Sequence, residues 1–272
     1  MKQYEVLNES INFATKQLED FNAEKKLNNT SDIVITALYR KIIELSVGVK
    51  VASENGLSGP VVLNYRGLVE AYLAFMYILQ KDSLLEDRAK AYKVGYHKQL
   101  IEEGEYALKK YSDTIDKQSL ESAIQYHKIE LEKSDLQEIL TEYNKLQNQN
   151  KGNYIPKWYS LNNGPKSINM LAKILETEGE GKDRKLFAQL YSFLSKGAHN
   201  YTALSSIIEN DTGFSIEPVQ ASFNMDTDKN KFMLARSMLT FAALKFTVNT
   251  FPEYEGNLSS FIKWISPYLN SN

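Results

Sequence analysis

Apolar side chains recur along the chain with a helical period. Leu7, Ile11, Ala14, Leu18 and Phe21 follow one another at steps of four, three, four and three, the spacing that lines one face of a helix. Asn29, three residues before Asp32, marks an N-cap, and Ile35, Leu38, Ile42, Leu45 and Val49 form the stripe of a second helix. The segment ENGLSGP over 54–60 closes that helix with Gly56 and Gly59. Pro60 opens a third helix, near residues 60–81, which is apolar nearly all round and therefore central.

A fourth helix is expected from about Ser83 to Tyr111, with Leu85, Ala89, Tyr92, Tyr96 and Leu100 on one side. Another spans roughly 117–147, its apolar positions reduced to a thin stripe of Ile129, Leu136, Leu140 and Tyr143, and it ends in the polar loop NKLQNQNKGN. The stretch YIPKWYSLNNGPKS, 154–167, reads as a loop whose aromatic pair, Trp158 and Tyr159, either faces solvent or folds back onto the helices as core. Short helices follow at about 166–177 and 182–197, joined by the turn EGEGK. Residues 209–229 read as irregular or a small hairpin, and two apolar segments, KFMLARSMLTFAALKFTVNTF and LSSFIKWISPYL, form the last helices. With no repeat, low-complexity tract or linker, the expectation is an all-α fold: a single helical domain of about nine helices over residues 1–272.

Composition narrows the function classes. The net charge is −2, from 32 basic and 34 acidic side chains, so no general basic field draws in nucleic acid, although a local basic groove is compatible with it. Cysteine is absent, which removes disulfides, thiolate nucleophiles and cysteine-based zinc sites and fits a cytoplasmic location. The N-terminus lacks the apolar core of a secretory signal. The most apolar run, LVEAYLAFMYIL at 68–79, contains Glu70 and is shorter than the ~20 residues a membrane span needs. Seventeen tyrosines and twelve phenylalanines supply a large aromatic core with hydroxyls to bind polar groups.

Two polar groupings interrupt apolar helix faces. Arg66 and Glu70 are four apart in NYRGLVEAY, on one face of the third helix. Charges taken from water need partners, so the pair either braces neighbouring helices or serves a site. Tyr191, Ser195 and His199 are also spaced by four. If the helix runs through Gly197 they form a polar ridge, in which His199 is an acid or base oriented by Ser195. If the helix stops there, His199 and Asn200 satisfy its last carbonyls and Lys196 is a surface charge. Arg236, on the apolar helix FMLARSMLTF, either joins the cluster or snorkels. His97 and His127 read as solvated helix residues. No two histidines have metal-ligand spacing, and Walker, dinucleotide-binding and nucleophile-elbow motifs are absent. No metal or other cofactor is expected.

The order of these features carries a resemblance. An Arg-x-x-x-Glu helix with the run AYLAFMYIL precedes a tyrosine-rich helix, DRAKAYKVGY. A loop tryptophan, PKWYS, then comes before SINMLAKIL and LFAQLYSFLSKGAHN. Over about residues 40–250 this resembles a family of uncharacterised bacterial all-helical domains of unknown function, found near mobile elements. That architecture is similar to the HEPN superfamily, helical domains common in toxin–antitoxin and phage-defence systems, many of them metal-independent ribonucleases that act as dimers. The resemblance implies a HEPN-like bundle with peripheral helices and a homodimer, and it groups Arg66, Glu70, Ser195 and His199 as one site. Lys196, Asn200, Tyr191, Arg236 and Trp158 would line it as substrate-binding residues. The superfamily's arginine, four to six residues before its histidine, is missing: Leu194, Phe193 and Ser192 stand there.

Two functions follow as expectations. The first is a helical module of a phage-defence, toxin–antitoxin or mobile-element-associated system that binds a protein or a small ligand. The alternative is a metal-independent ribonuclease acting on RNA, with His199 as general acid/base, Arg66 or Lys196 steadying phosphate charge and Glu70 orienting Arg66. The missing arginine and the near-neutral charge favour the first.

Overall fold

The computed structural model describes residues 2–111, 116–149, 155–177, 186–198, 203–211, 213–220 and 229–269. Within them lie α1 (Gln3–Glu24), α2 (Thr30–Glu54), α3 (Ser58–Ile78), α4 (Leu85–Lys110), α5 (Lys117–Leu131), α6 (Gln137–Gln149), α7 (Ile168–Thr177), α8 (Leu186–Ala198), α9 (Lys229–Thr250) and α10 (Glu255–Leu269). The fold is all-α, with one two-stranded antiparallel hairpin, β1 (Ile207–Asn210) and β2 (Gly213–Ile216), in which Ile207 faces Ile216.

Local chemistry sets the boundaries. The Asn29 side chain accepts from Asp32 N at 2.7 Å and caps α2. At the other end Gly56, at φ 63°, takes the left-handed conformation, and Leu57 N reaches back to Ala52 O at 2.9 Å. This six-to-one bond satisfies a terminal carbonyl and turns the chain into α3. The single helix expected over 117–147 is instead two. A 3₁₀ turn at Ser134–Leu136 breaks it, and the Gln137 side chain donates to the last-turn carbonyl of Leu131 at 2.7 Å. Ile129, expected in the buried stripe, faces solvent; Ile124, Leu131, Leu136, Ile139 and Tyr143 are buried.

Helix α3 packs against α2, α4, α7, α8 and α9, burying Leu68, Leu73, Phe75 and Ile78 completely or nearly so. A polar network runs through this core. Gln17 of α1 is fully buried; its Oε1 accepts from the Tyr39 hydroxyl at 2.5 Å and its Nε2 donates to Thr247 Oγ1 at 2.6 Å. The Tyr39 ring stacks on Phe246, centroids 4.5 Å apart. Three helices distant in sequence, α1, α2 and α9, are thus held in one register. A second apolar cluster, built from Val94, Ile101, Ile124, Leu131, Leu136 and Tyr143, joins α5 and α6 to α4.

Tyr39→Phe is expected to leave Gln17 Oε1 buried without its donor and to cost about 1–3 kcal/mol in urea denaturation. Combined with Gln17→Leu, the loss should be smaller than the sum of the two single losses, because one bond is removed in both.

Candidate functional site

The Arg66–Glu70 pair does meet α8. Arg66 Nε donates to Glu70 Oε1 at 3.0 Å, with the side chains 24% and 37% exposed, so the pair is half-buried rather than sealed in the core. The guanidinium lies 5.7 Å from the Tyr191 ring centroid, and the Tyr191 phenol hydrogen-bonds with both partners. Burial weighs against the Arg66 charge, but the bonds from Glu70 and Tyr191 outweigh it and hold its pKa above the ordinary value. Burial, with the Glu70 charge added, pushes the Tyr191 phenol up. The result is a neutral-sum network: one cation, one anion and a protonated phenol, each using the others.

Ser195 sits one turn beyond Tyr191 on α8, half-buried. Lys196 falls in the last turn of that helix, but its side chain, like His199 and Asn200, lies outside the described residues. Arg236 belongs elsewhere. It is 1% exposed, and its Nη1 donates to Gln3 Oε1 at 2.5 Å and to the Tyr268 carbonyl at 3.0 Å. It neither snorkels nor joins the Arg66 cluster. It ties α9 to α1 and to the last turns of α10, and burial lowers its pKa.

Trp158 is half-buried and folds back onto the helices at the other end of α3. Its ring packs edge-on against Tyr92, centroids 5.0 Å apart, and lies 6.0 Å from Tyr77. Gly95 permits the approach, since a Cβ there would stand 2.7 Å from Trp158 Cβ. Arg88 secures the same corner: its guanidinium stacks 3.8 Å from the Tyr77 ring centroid and donates to the Tyr77 carbonyl and to Gln80 Oε1, placing a cation at the C-terminus of α3. Eleven residues of helix separate Arg66 from Tyr77, about 16 Å along the axis, so Trp158 and Arg66 occupy different sites.

Between α4, the end of α6 and the tryptophan loop runs a groove of about 770 Å³. Tyr92, Tyr96 and Tyr106 line it with Trp158, and Glu102, Glu103 and Gln147 supply polar groups. A second cavity of about 450 Å³ lies toward α5 and shares Glu102 and Gln147 in its wall.

His97 is buried and His127 half-buried. His97 is 4% exposed, and its Nδ1 lies 2.9 Å from His127 Nδ1, so one ring donates to the other across α4 and α5. Burial and the neighbouring His127 push the His97 pKa down to about 4. Among the described residues no group of three or more His, Cys, Asp or Glu side chains is arranged to hold a metal ion.

A family model described as a family of unknown function (DUF5677) matches residues 32–215. The chain belongs to this family. Arg66, Glu70, Trp158, Tyr191 and Ser195 all lie in the DUF5677 region, as do the groove and the histidine pair; α1, α9, α10 and Arg236 lie outside it. No curated protein and no solved structure matches the chain.

The depressed His97 pKa carries a sign. The unfolded chain, titrating near 6.5, binds more protons than the folded one between that value and about 4. The contribution is therefore fully present above about pH 6.5 and is lost as pH falls toward 4. Urea midpoints measured from pH 7 to 4 should decline more shallowly in His97→Leu than in the parent protein.

Proposed function

We propose that this DUF5677 protein is a HEPN-like helical module of a bacterial phage-defence, toxin–antitoxin or mobile-element-associated system, and that it works by binding a protein or small ligand rather than by cleaving RNA. The observation that carries this reading is the closed Arg66–Glu70–Tyr191 network. A cation that is to steady a phosphate in a transition state must keep its donors aimed at the place where charge develops. Arg66 turns its Nε to Glu70 and its guanidinium to the Tyr191 ring instead, a contact that joins α8 to α3. A ligand-sized groove stands apart from it, on α4. Among the described residues no helix is long and apolar enough to cross a membrane, and the reading places the protein in the cytoplasm, acting as a homodimer.

One feature favours the ribonuclease alternative. In sequence Tyr191 and Ser195 are followed, four residues on, by His199, a residue type suited to general acid/base work.

Purified protein incubated with total RNA, with and without chelator, should leave the RNA intact. Arg66→Ala should cost under about 1 kcal/mol of stability, as expected for a half-exposed ion pair. RNA cleavage that His199→Ala abolishes without lowering the melting temperature would overturn the binding reading and establish the enzyme.

A further inference from the structure

The geometry points to the groove along α4 as a binding site for a small organic polyamine, held by aromatic faces and by the Glu102 carboxylate. This deepens the binding-module reading, on which it rests.

The floor of the groove is one face of α4. Tyr92, Tyr96, Gln99, Glu103 and Tyr106 succeed one another at steps of four, three, four and three, about 21 Å of helix from first to last. Tyr96 and Tyr106 are 53% and 56% exposed, an unusual outlay of aromatic surface on a helix whose other side is already packed. Opposite them stands the segment from Ile155 to Trp158, with Trp158 pressed onto the α4 backbone at Gly95. A volume of about 770 Å³ is that of a small-molecule site.

Charge selects the ligand. Glu102 Oε1 accepts from Gln147 Nε2 at 3.1 Å, while Oε2 is shielded from solvent and, among the described residues, has no donor. A buried acceptor without a donor is costly; Oε2 does not face the open groove, and a turn of the Glu102 side chain presents it to a bound ammonium. Among the described residues Glu103 accepts from the neutral Gln99 alone, at 2.8 Å. Among the described residues neither carboxylate forms an ion pair. Among the described residues the lining holds one cation, Lys157, and Lys110 donates to the Tyr106 hydroxyl at the far end. A flexible chain carrying several ammonium groups can set one against Glu102 and lay others over the tyrosine and tryptophan faces, where the ring quadrupole attracts them. A nucleotide would stack on the same rings but would bring phosphate against two carboxylates.

The test is titration calorimetry of the full chain with spermidine at about 0.15 M salt, joined to fluorescence in a Trp264→Phe background, where Trp158 is the remaining tryptophan. The expected result is saturable one-to-one binding that perturbs Trp158 emission and weakens at least tenfold in Glu102→Gln and in Tyr96→Ala. Glu86→Gln, whose side chain faces Lys90 on α4, should bind as the parent does. Tyr96→Ala removes an exposed ring and keeps the test valid should Glu102→Gln fold poorly. Absence of saturable heat would overturn the proposal. So would binding equal in all variants, which is nonspecific attraction to an acidic surface, or a short RNA competing for the groove. RNA cleavage dependent on His199 would instead defeat the binding-module reading and leave the spermidine result to stand by itself.

Discussion

Helix α3 has no polar face wide enough to turn to water, and the arrangement of the other helices answers that constraint. Among the described residues α2, α4, α7, α8 and α9 pack against it. Each covers a strip that would otherwise expose leucine, phenylalanine or isoleucine, at roughly 25 cal/mol for every Å² of apolar surface removed from solvent. Two polar encounters on α3 have specific partners, while the buried Tyr65 hydroxyl has no hydrogen-bond partner among the described residues. Glu70 and Arg66 find Tyr191 on α8, and the C-terminal carbonyl of Tyr77 finds Arg88 on α4. Those two encounters fix the places where side chains from different elements converge, one toward each end of the helix.

The convergences differ in chemical character. At α8 the charges cancel within the network, which makes it suited to holding a register between two helices. At α4 the charges do not cancel locally: two carboxylates stand among aromatic rings, and their nearest bonding partners are neutral amides. The family match contains both, while α9 and α1, which complete the core through Gln17 and Arg236, fall outside it.

Much of the fold was legible because hydrophobic period and capping chemistry agree. The stripe from Ile35 to Val49, the Asn29 cap and the Gly56 stop all specify the same helix, α2. The break inside 117–147 was not legible, since lysines, glutamates and leucines on both sides favour helix and the interruption depends on Gln137 folding back to a carbonyl. The meeting of Arg66 with Tyr191 could be anticipated from matched four-residue spacings on two apolar helices. The burial of His97 could not, because its partner His127 lies on another helix and nothing local distinguishes it from a solvated histidine. The close packing on α4 did leave a signal. Gly95 and Gly104 lie inside an otherwise strong helix, where each costs roughly 1 kcal/mol against alanine. They mark the points at which Trp158 and Ile124 press against α4, where an added Cβ would come within 2.7 and 2.8 Å of them.

The separation of the α4–α5–α6 cluster from the larger core has a thermodynamic consequence. Helices α5 and α6 rest chiefly on α4, so they form a unit that can open at a free energy below that of global unfolding. Gln147, the α6 residue on the groove, belongs to that unit. A molecule held against it is bound only by the closed population, and its apparent affinity scales with the fraction of molecules that are closed. Occupancy of the groove and amide exchange across α5 and α6 would then report a single equilibrium, and anything that loosens the contact between α4 and α5 would weaken binding without touching the groove.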